Sequence, residues 1–90
     1  MPQAGPLVNL AAIYERHGNF DGAQKLYERA LSINPNSTEA LNNLGGIFYR
    51  KKDYKSAETC FARAVMIRPD MEQAKKNLEL TRKAQNINAK

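Results

Sequence analysis

The chain has 90 residues and a formal net charge of +5, from 14 lysines and arginines against nine acidic residues. Hydrophobic residues at 42% and charged residues at 26% are typical of a folded globular chain and exclude a disordered one. No stretch reaches the roughly 20 apolar residues of a membrane-spanning helix, and the N-terminus lacks the apolar block of a signal peptide. The single cysteine excludes an internal disulfide, so we expect a cytoplasmic chain without membrane insertion.

The first predicted helix covers residues 4–17, where apolar side chains recur at the i, i+3, i+4, i+7 spacing of one helix face. The residues of this stripe are Leu7, Leu10, Ala11 and Tyr14. Gly18 and Asn19 mark a tight turn. Because the turn is short, the second helix, predicted over 21–34, packs antiparallel to the first.

A second pair of helices is predicted over 38–51 and 55–68, and a fifth helix over 71–86. Pro35 and Pro69 end the second and fourth helices, because proline cannot continue the hydrogen-bond ladder. Capping-box patterns mark the starts of the third and fifth helices. These are the pairs Asn36 with Glu39 and Asp70 with Gln73.

The turn inside the second pair places Lys52 where the first pair has Gly18. A positive φ at this lysine would cost about 1 kcal/mol relative to glycine, because a Cβ atom crowds the left-handed conformation. The sequence therefore predicts a strained residue in an otherwise regular turn.

The whole chain repeats with a period of 34 residues. An Asn-Leu pair recurs at Asn9, Asn43 and Asn77. Sliding the sequence by the same period superimposes Leu7 on Leu41, Ile13 on Ile47, Arg16 on Arg50, Ala23 on Ala57, Ala30 on Ala64 and Pro35 on Pro69. A fixed period of this length indicates a helical repeat array in which each unit contacts its neighbours.

The signature positions of the tetratricopeptide repeat are filled twice, with Leu7 at the place of the usual tryptophan. The first set is Leu7, Leu10, Ala11, Tyr14, Ala23, Tyr27, Ala30 and Pro35. The second set is Leu41, Leu44, Gly45, Phe48, Ala57, Phe61, Ala64 and Pro69. The chain thus resembles this family. The resemblance implies an all-α, right-handed superhelix of helix pairs, whose first helices line a concave groove.

We predict a single domain over 1–90, made of two repeats and a capping helix. The repeats cover 4–37 and 38–71, the capping helix covers 72–86, and residues 87–90 form a tail. In the capping helix the signature positions are mostly polar, as expected where no further unit covers the outer face. They hold Lys75, Leu78, Glu79 and Arg82.

Three asparagines in register are residues that the repeat itself does not require. By the family's geometry, the stripe with Asn9, Asn43 and Asn77 faces the groove. An asparagine offers a donor and an acceptor, so it can satisfy one peptide unit. Helices pack about 8–10 Å apart and an extended peptide advances about 3.3 Å per residue, so each asparagine would meet roughly every third ligand residue.

A similar asparagine ladder lines the repeat superhelix of the O-linked N-acetylglucosamine transferase and the groove of kinesin light chains. The alternative interpretation is that these asparagines serve local contacts between helices. Because asparagine is a poor helix former, its presence three times on an exposed stripe favours the ladder.

Small and basic residues on the same stripe are candidates for contact with ligand side chains. Ala12 and Gly46 leave space beside the ladder. Arg16 and Arg50, one turn further on, can pair with acidic groups bidentately. The alternative is that these arginines only complement the dipoles of their helix ends.

Two residues beside the stripe complete the candidate peptide-binding set. Tyr49 is an aromatic residue whose repeat equivalent, Glu15, is not aromatic, so packing alone does not require it. Lys76 flanks the stripe on the same side, as do Val8 and Asn42. We expect Tyr49 and Lys76 to select ligand side chains.

The sequence therefore predicts a non-catalytic interaction module that binds an extended protein segment, with acidic segments as the hypothesised preference. It has one histidine and one cysteine, too few to suggest a metal site, and no phosphate-binding loop or catalytic triad. We expect no cofactor and no enzymatic activity. Nucleic acid is a weaker alternative, because only Tyr49 offers a ring for base stacking beside the basic residues.

Two further alternatives remain open at this point. The chain could self-associate through the uncovered face of its first helix, as a scaffold or stacking module whose groove is incidental. It could also be the repeat segment of a larger protein or enzyme. Both are compatible with the same repeat pattern.

Overall fold

A computed structural model describes residues 3–88 as five α-helices joined by short turns. They are α1 (Ala4–Arg16), α2 (Phe20–Ile33), α3 (Thr38–Arg50), α4 (Tyr54–Ile67) and α5 (Glu72–Asn88). The predicted all-α class and the five predicted helices are confirmed. The last helix runs past its predicted end at residue 86, and residues 89 and 90 of the predicted tail lie outside the described residues.

Each helix packs against its neighbours in the chain. α1 packs on α2 and α3 on α4, while α2 also contacts α3 and α4 also contacts α5. This nearest-neighbour pattern is that of a helical repeat solenoid. Within residues 3–88, no helix is long and apolar enough to cross a membrane.

The turn within each helix pair has the same construction. Gly18 has a φ of 80° and Lys52 a φ of 64°, so the predicted strained lysine is confirmed. The next residue caps the following helix with its side chain. Asn19 accepts a hydrogen bond from the backbone N–H of Gly22 at 3.0 Å, and Asp53 caps α4 in the same way.

The predicted cap of α3 is wrong by one residue. Ser37, not Asn36, caps the helix, because its Oγ accepts a hydrogen bond from the N–H of Ala40 at 3.3 Å. The turn after the proline is closed by the N–H of Ser37 donating to the carbonyl of Asn34 at 3.1 Å. That turn places the serine at the cap position.

The start of α5 shifts in the same way. The N–H of Met71 donates to the carbonyl of Arg68 at 3.0 Å, and the helix begins at Glu72. The carboxylate of Asp70, predicted as the cap, instead faces the guanidinium of Arg68 at 3.6 Å. Each inter-unit turn therefore extends one residue further than the capping-box pattern suggested.

The core consists of a few large side chains and many alanines. Ala23, Ala57 and Ala64 are completely buried, which allows close approach of the helices. Gly45 has the same role, because a Cβ atom there would lie 2.6 Å from Cε1 of Phe61. The largest fully buried side chains are Tyr27, Phe61, Leu41, Ile47 and Thr81.

The apolar side chains of α1 are only partly packed, which fits the uncovered face that the sequence suggested for this helix. Leu10 is 40% exposed, whereas its equivalent Leu44 is 4% exposed. Ile13 is 41% exposed, whereas its equivalent Ile47 is fully buried. The difference arises because α2 packs against α3, while no described element packs on the corresponding side of α1.

Candidate functional site

Seven of the nine predicted site residues line two pockets along α1, α3 and α5. We call this surface the groove. The larger pocket, here the polar pocket, has a volume of about 630 Å³. It is lined by Ala12, Glu15, Arg16, Gly18, Phe20, Tyr27, Asn43 and Arg50.

The smaller pocket, here the apolar pocket, has a volume of about 140 Å³. It is lined by Gly46, Tyr49, Phe61, Asn77 and Leu80. The structure thus brings Ala12, Arg16, Asn43 and Arg50 together in one pocket, and Gly46, Tyr49 and Asn77 together in the other.

Two arginines give the polar pocket its positive charge. Arg16 and Arg50 stand in the last turns of α1 and α3, and both are exposed. The guanidinium of Arg50 lies over the ring of Phe20, 4.3 Å from its centroid, in a cation–π contact. Within residues 3–88 neither arginine forms an ion pair, so both charges remain available to a ligand.

The polar pocket contains a hydrogen-bonded pair that was not predicted from the sequence. The hydroxyl of Tyr27 donates to Oε1 of Glu15 at 2.9 Å. Burial, followed by the hydrogen bond and charge of Glu15, raises the pKa of Tyr27 well above its usual value, and the Asn43 side chain opposes this rise. The sequence does contain a sign of this pairing. Both positions change together in the next repeat, where Tyr49 stands in place of Glu15 and Phe61 in place of Tyr27.

The apolar pocket is open and lined largely by carbon. The Tyr49 ring meets the Tyr54 ring edge-on, with centroids 5.3 Å apart, and still leaves 36% of Tyr49 exposed. Leu80 is 53% exposed. A Cβ atom added at Gly46 would meet nothing within 4 Å, so the missing side chain leaves real space.

The three ladder asparagines have three different surroundings. Asn9 is exposed, and no hydrogen bond to its side chain occurs within the described part of the chain. Asn43 lines the polar pocket, where its side chain acts to lower the pKa of Tyr27. Asn77 donates from Nδ2 to Oδ1 of Asn42 at 3.1 Å. A local contact between helices is therefore present at Asn77, as the alternative interpretation expected.

The residues predicted to flank the groove stripe differ in burial. Val8 is 3% exposed and Asn42 is 8% exposed, so both are buried between helices and do not flank the groove. Lys76 is exposed on α5 beside Asn77. Lys76 and Asn9 are the two predicted site residues that line neither pocket.

A family model described as tetratricopeptide repeat matches residues 3–70, which include all of α1 to α4. The match covers more than half of the chain. A comparison with functionally curated proteins gave no match.

Proposed function

Because this chain belongs to the tetratricopeptide repeat family, we propose that it is a non-catalytic module that binds an extended segment of another protein in its groove. Repeats of this family generally mediate protein–protein interaction. The observation that carries the proposal is the placement of Asn43, Asn77 and the two arginines in two pockets that are both lined by residues of α3.

The ladder asparagines retain the hydrogen-bonding capacity that a peptide backbone needs. A side-chain amide has two N–H donors and one acceptor oxygen. In Asn77, one N–H is used by Asn42, which leaves one donor and the oxygen. Asn43 lies in the polar pocket, and at most one of its N–H groups is directed to the Tyr27 hydroxyl, while Asn9 is exposed. Each amide therefore still offers one donor and one acceptor, which matches one peptide unit.

The remaining site residues would select the side chains of the bound segment. Arg16 and Arg50 favour acidic residues, because their charges are not neutralised by ion pairs within residues 3–88. Lys76 adds a further positive charge on α5. Ala12 and Gly46 leave space for ligand side chains, and Tyr49 presents an aromatic surface beside that space.

The test is binding of a random library of extended peptides to the wild type and to the triple variant Asn9→Ala/Asn43→Ala/Asn77→Ala. Each lost hydrogen bond costs about 0.5–1.5 kcal/mol, so the triple variant should lose at least about tenfold in affinity. Unchanged binding by a folded triple variant would exclude the ladder.

A matched control is Asn86→Ala. This asparagine is exposed on α5, two and a half helical turns after Asn77, and therefore on the opposite side of that helix. Its replacement makes the same chemical change in a helix and should leave peptide binding unaltered. Circular dichroism of both variants establishes that the helices are intact.

A second candidate function is self-association through α1. It is favoured by the exposure of Leu10 and Ile13, whose equivalents in α3 are packed. Sedimentation of the wild type over a range of concentrations tests it. A mass that rises with concentration, is abolished by Leu10→Lys and is unaffected by the triple asparagine variant would identify α1 as the association surface.

A further inference from the structure

The two pockets of the groove are built from the same positions of the repeat. Four of the five residues that line the apolar pocket have an equivalent, 34 residues earlier, that lines the polar pocket. The equivalent pairs are Ala12 with Gly46, Glu15 with Tyr49, Tyr27 with Phe61 and Asn43 with Asn77. The pockets are thus two copies of one subsite. The lining residues that differ between them indicate which kind of ligand side chain each copy binds.

The main difference between the two pockets is a pair of equivalent positions that hold different residues. In the polar pocket, Glu15 accepts the hydroxyl hydrogen bond of Tyr27. In the apolar pocket, the same two positions hold Tyr49 and Phe61, which offer aromatic carbon. Leu80, more than half exposed, adds aliphatic surface to the second copy.

The charges of the polar pocket suit a single carboxylate. Arg16 and Arg50 contribute two positive charges and Glu15 one negative charge, which leaves a net charge of +1. One oxygen of Glu15 is occupied by the Tyr27 hydroxyl, and neither arginine forms an ion pair within residues 3–88. An incoming carboxylate would therefore neutralise the pocket and find guanidinium donors that no described side chain uses.

We propose that the two pockets form a bipartite recognition site for one extended protein segment. A glutamate or aspartate side chain occupies the polar pocket, and an aliphatic or aromatic side chain occupies the apolar pocket. This inference rests on the proposed function, because it specifies which segment the groove selects. The ladder asparagines hold the backbone, and the two pockets read the side chains.

The repeat geometry sets the spacing between the two ligand side chains. The pockets are one repeat apart, and the equivalent helices α3 and α5 are in contact. Helices in contact pack about 8–10 Å apart. A polyproline II segment advances about 3.1 Å per residue with three residues per turn, so residues i and i+3 lie on one side about 9 Å apart. The acidic and apolar residues of the ligand are therefore separated by three positions.

The experiment uses short capped peptides with an uncharged host sequence of alanine, serine and proline. One peptide carries glutamate and, three positions later, leucine, and a second carries them in the reverse order. Further peptides carry only the glutamate, only the leucine, or neither. Affinities are measured by fluorescence anisotropy with the full chain. We expect one of the two orders to bind at least about tenfold more tightly than either single peptide.

Two variants assign each ligand side chain to its pocket. Gly46→Leu fills the apolar pocket and should remove the contribution of leucine but keep that of glutamate. The control Ser32→Leu adds the same side chain at an exposed position of α2 that lines neither pocket. Arg16→Gln should remove the contribution of glutamate, and Arg29→Gln, an exposed arginine on α2, is its control.

Salt provides an independent readout of the two contributions. The glutamate contribution should shrink as salt rises, because exposed charges are screened, while the leucine contribution should persist. Peptides that bind equally well with and without the glutamate–leucine pair would overturn the bipartite site but leave groove binding intact. Failure of every peptide, including the random library, to bind would overturn both proposals.

Discussion

The hydroxyl of Tyr27 donates a hydrogen bond to Oε1 of Glu15 across 2.9 Å and so ties α2 to α1 beside the polar pocket. One repeat later, Tyr49 and Phe61 hold the same positions, and no hydroxyl is present on the buried ring. The two positions therefore change as a unit. Their identity decides whether a subsite of the groove is polar or apolar.

This pairing predicts a coupling between the two positions in the first repeat. Glu15→Tyr removes the acceptor of a buried hydroxyl and should destabilise the fold by about 1–3 kcal/mol. The double variant Glu15→Tyr/Tyr27→Phe reproduces the pair of the second repeat and should recover part of that loss. Urea unfolding of both single variants and the double variant measures the coupling, and strictly additive effects would contradict it.

The strained turn at Lys52 predicts a stabilising substitution. Lys52→Gly should raise the free energy of unfolding by about 0.5–1 kcal/mol, because glycine adopts the positive φ without a Cβ clash. Lys52→Ala keeps the clash and should be nearly neutral. The converse change, Gly18→Ala in the first turn, should destabilise by about 1 kcal/mol. Thermal and urea unfolding of the three variants is the measurement.

The adjacent glycines of α3 should respond in opposite directions to the same substitution. Gly45→Ala places a Cβ atom 2.6 Å from the Phe61 ring and should destabilise by about 1–3 kcal/mol through overpacking. Gly46→Ala meets no atom within 4 Å and should stabilise by up to about 1 kcal/mol through helix propensity. If both changes had a similar effect on urea unfolding, the close approach of Gly45 to the Phe61 ring would not restrict the side chain at that position.

Burial of the Cys60 thiol predicts a loss of stability at alkaline pH. Burial raises the pKa of Cys60 from its ordinary value of 9.0 to about 11. The folded state thus binds the proton more tightly, so the stabilisation is complete below about pH 9 and is lost as pH rises through about 11. Each tenfold change in proton affinity is about 1.4 kcal/mol, which bounds the loss at about 3 kcal/mol.

The measurement is urea unfolding of the wild type and of Cys60→Ala from neutral pH to about pH 11. The difference in stability between the two proteins should shrink above about pH 9. Comparison of the two proteins cancels the titration of Tyr27 and the lysines, which both retain. A difference that stays constant over this range would contradict the burial of the thiol.

The sequence predicted the helices well because local rules determine them. The prolines at 35 and 69 and the turn at Gly18 ended helices close to the observed positions. The period of 34 residues then predicted which residues share a face. The cap of α3 and the start of α5 were each off by one residue, because hydrogen bonds within the turn, such as Ser37 to Asn34, decide which side chain reaches the cap.

A helical wheel could not predict the contacts between successive repeats. The hydrogen bond from Asn77 to Asn42 joins α5 to α3, and its formation depends on how closely successive units pack. The same packing buries Val8, which the wheel placed beside the groove. The wheel gives directions around one axis but no distances between axes, so it could not separate a groove residue from a buried neighbour.

Side-chain amide NMR of the three ladder asparagines tests the central claim most directly. The signals are recorded while a peptide selected from the random library is added. If the peptide binds in the groove, the side-chain amide signals of Asn9, Asn43 and Asn77 should all shift as peptide is added. The signal of Asn86 should not shift. Unchanged asparagine signals, with backbone amide shifts confined to the exposed face of α1 around Leu10 and Ile13, would contradict the proposed groove site.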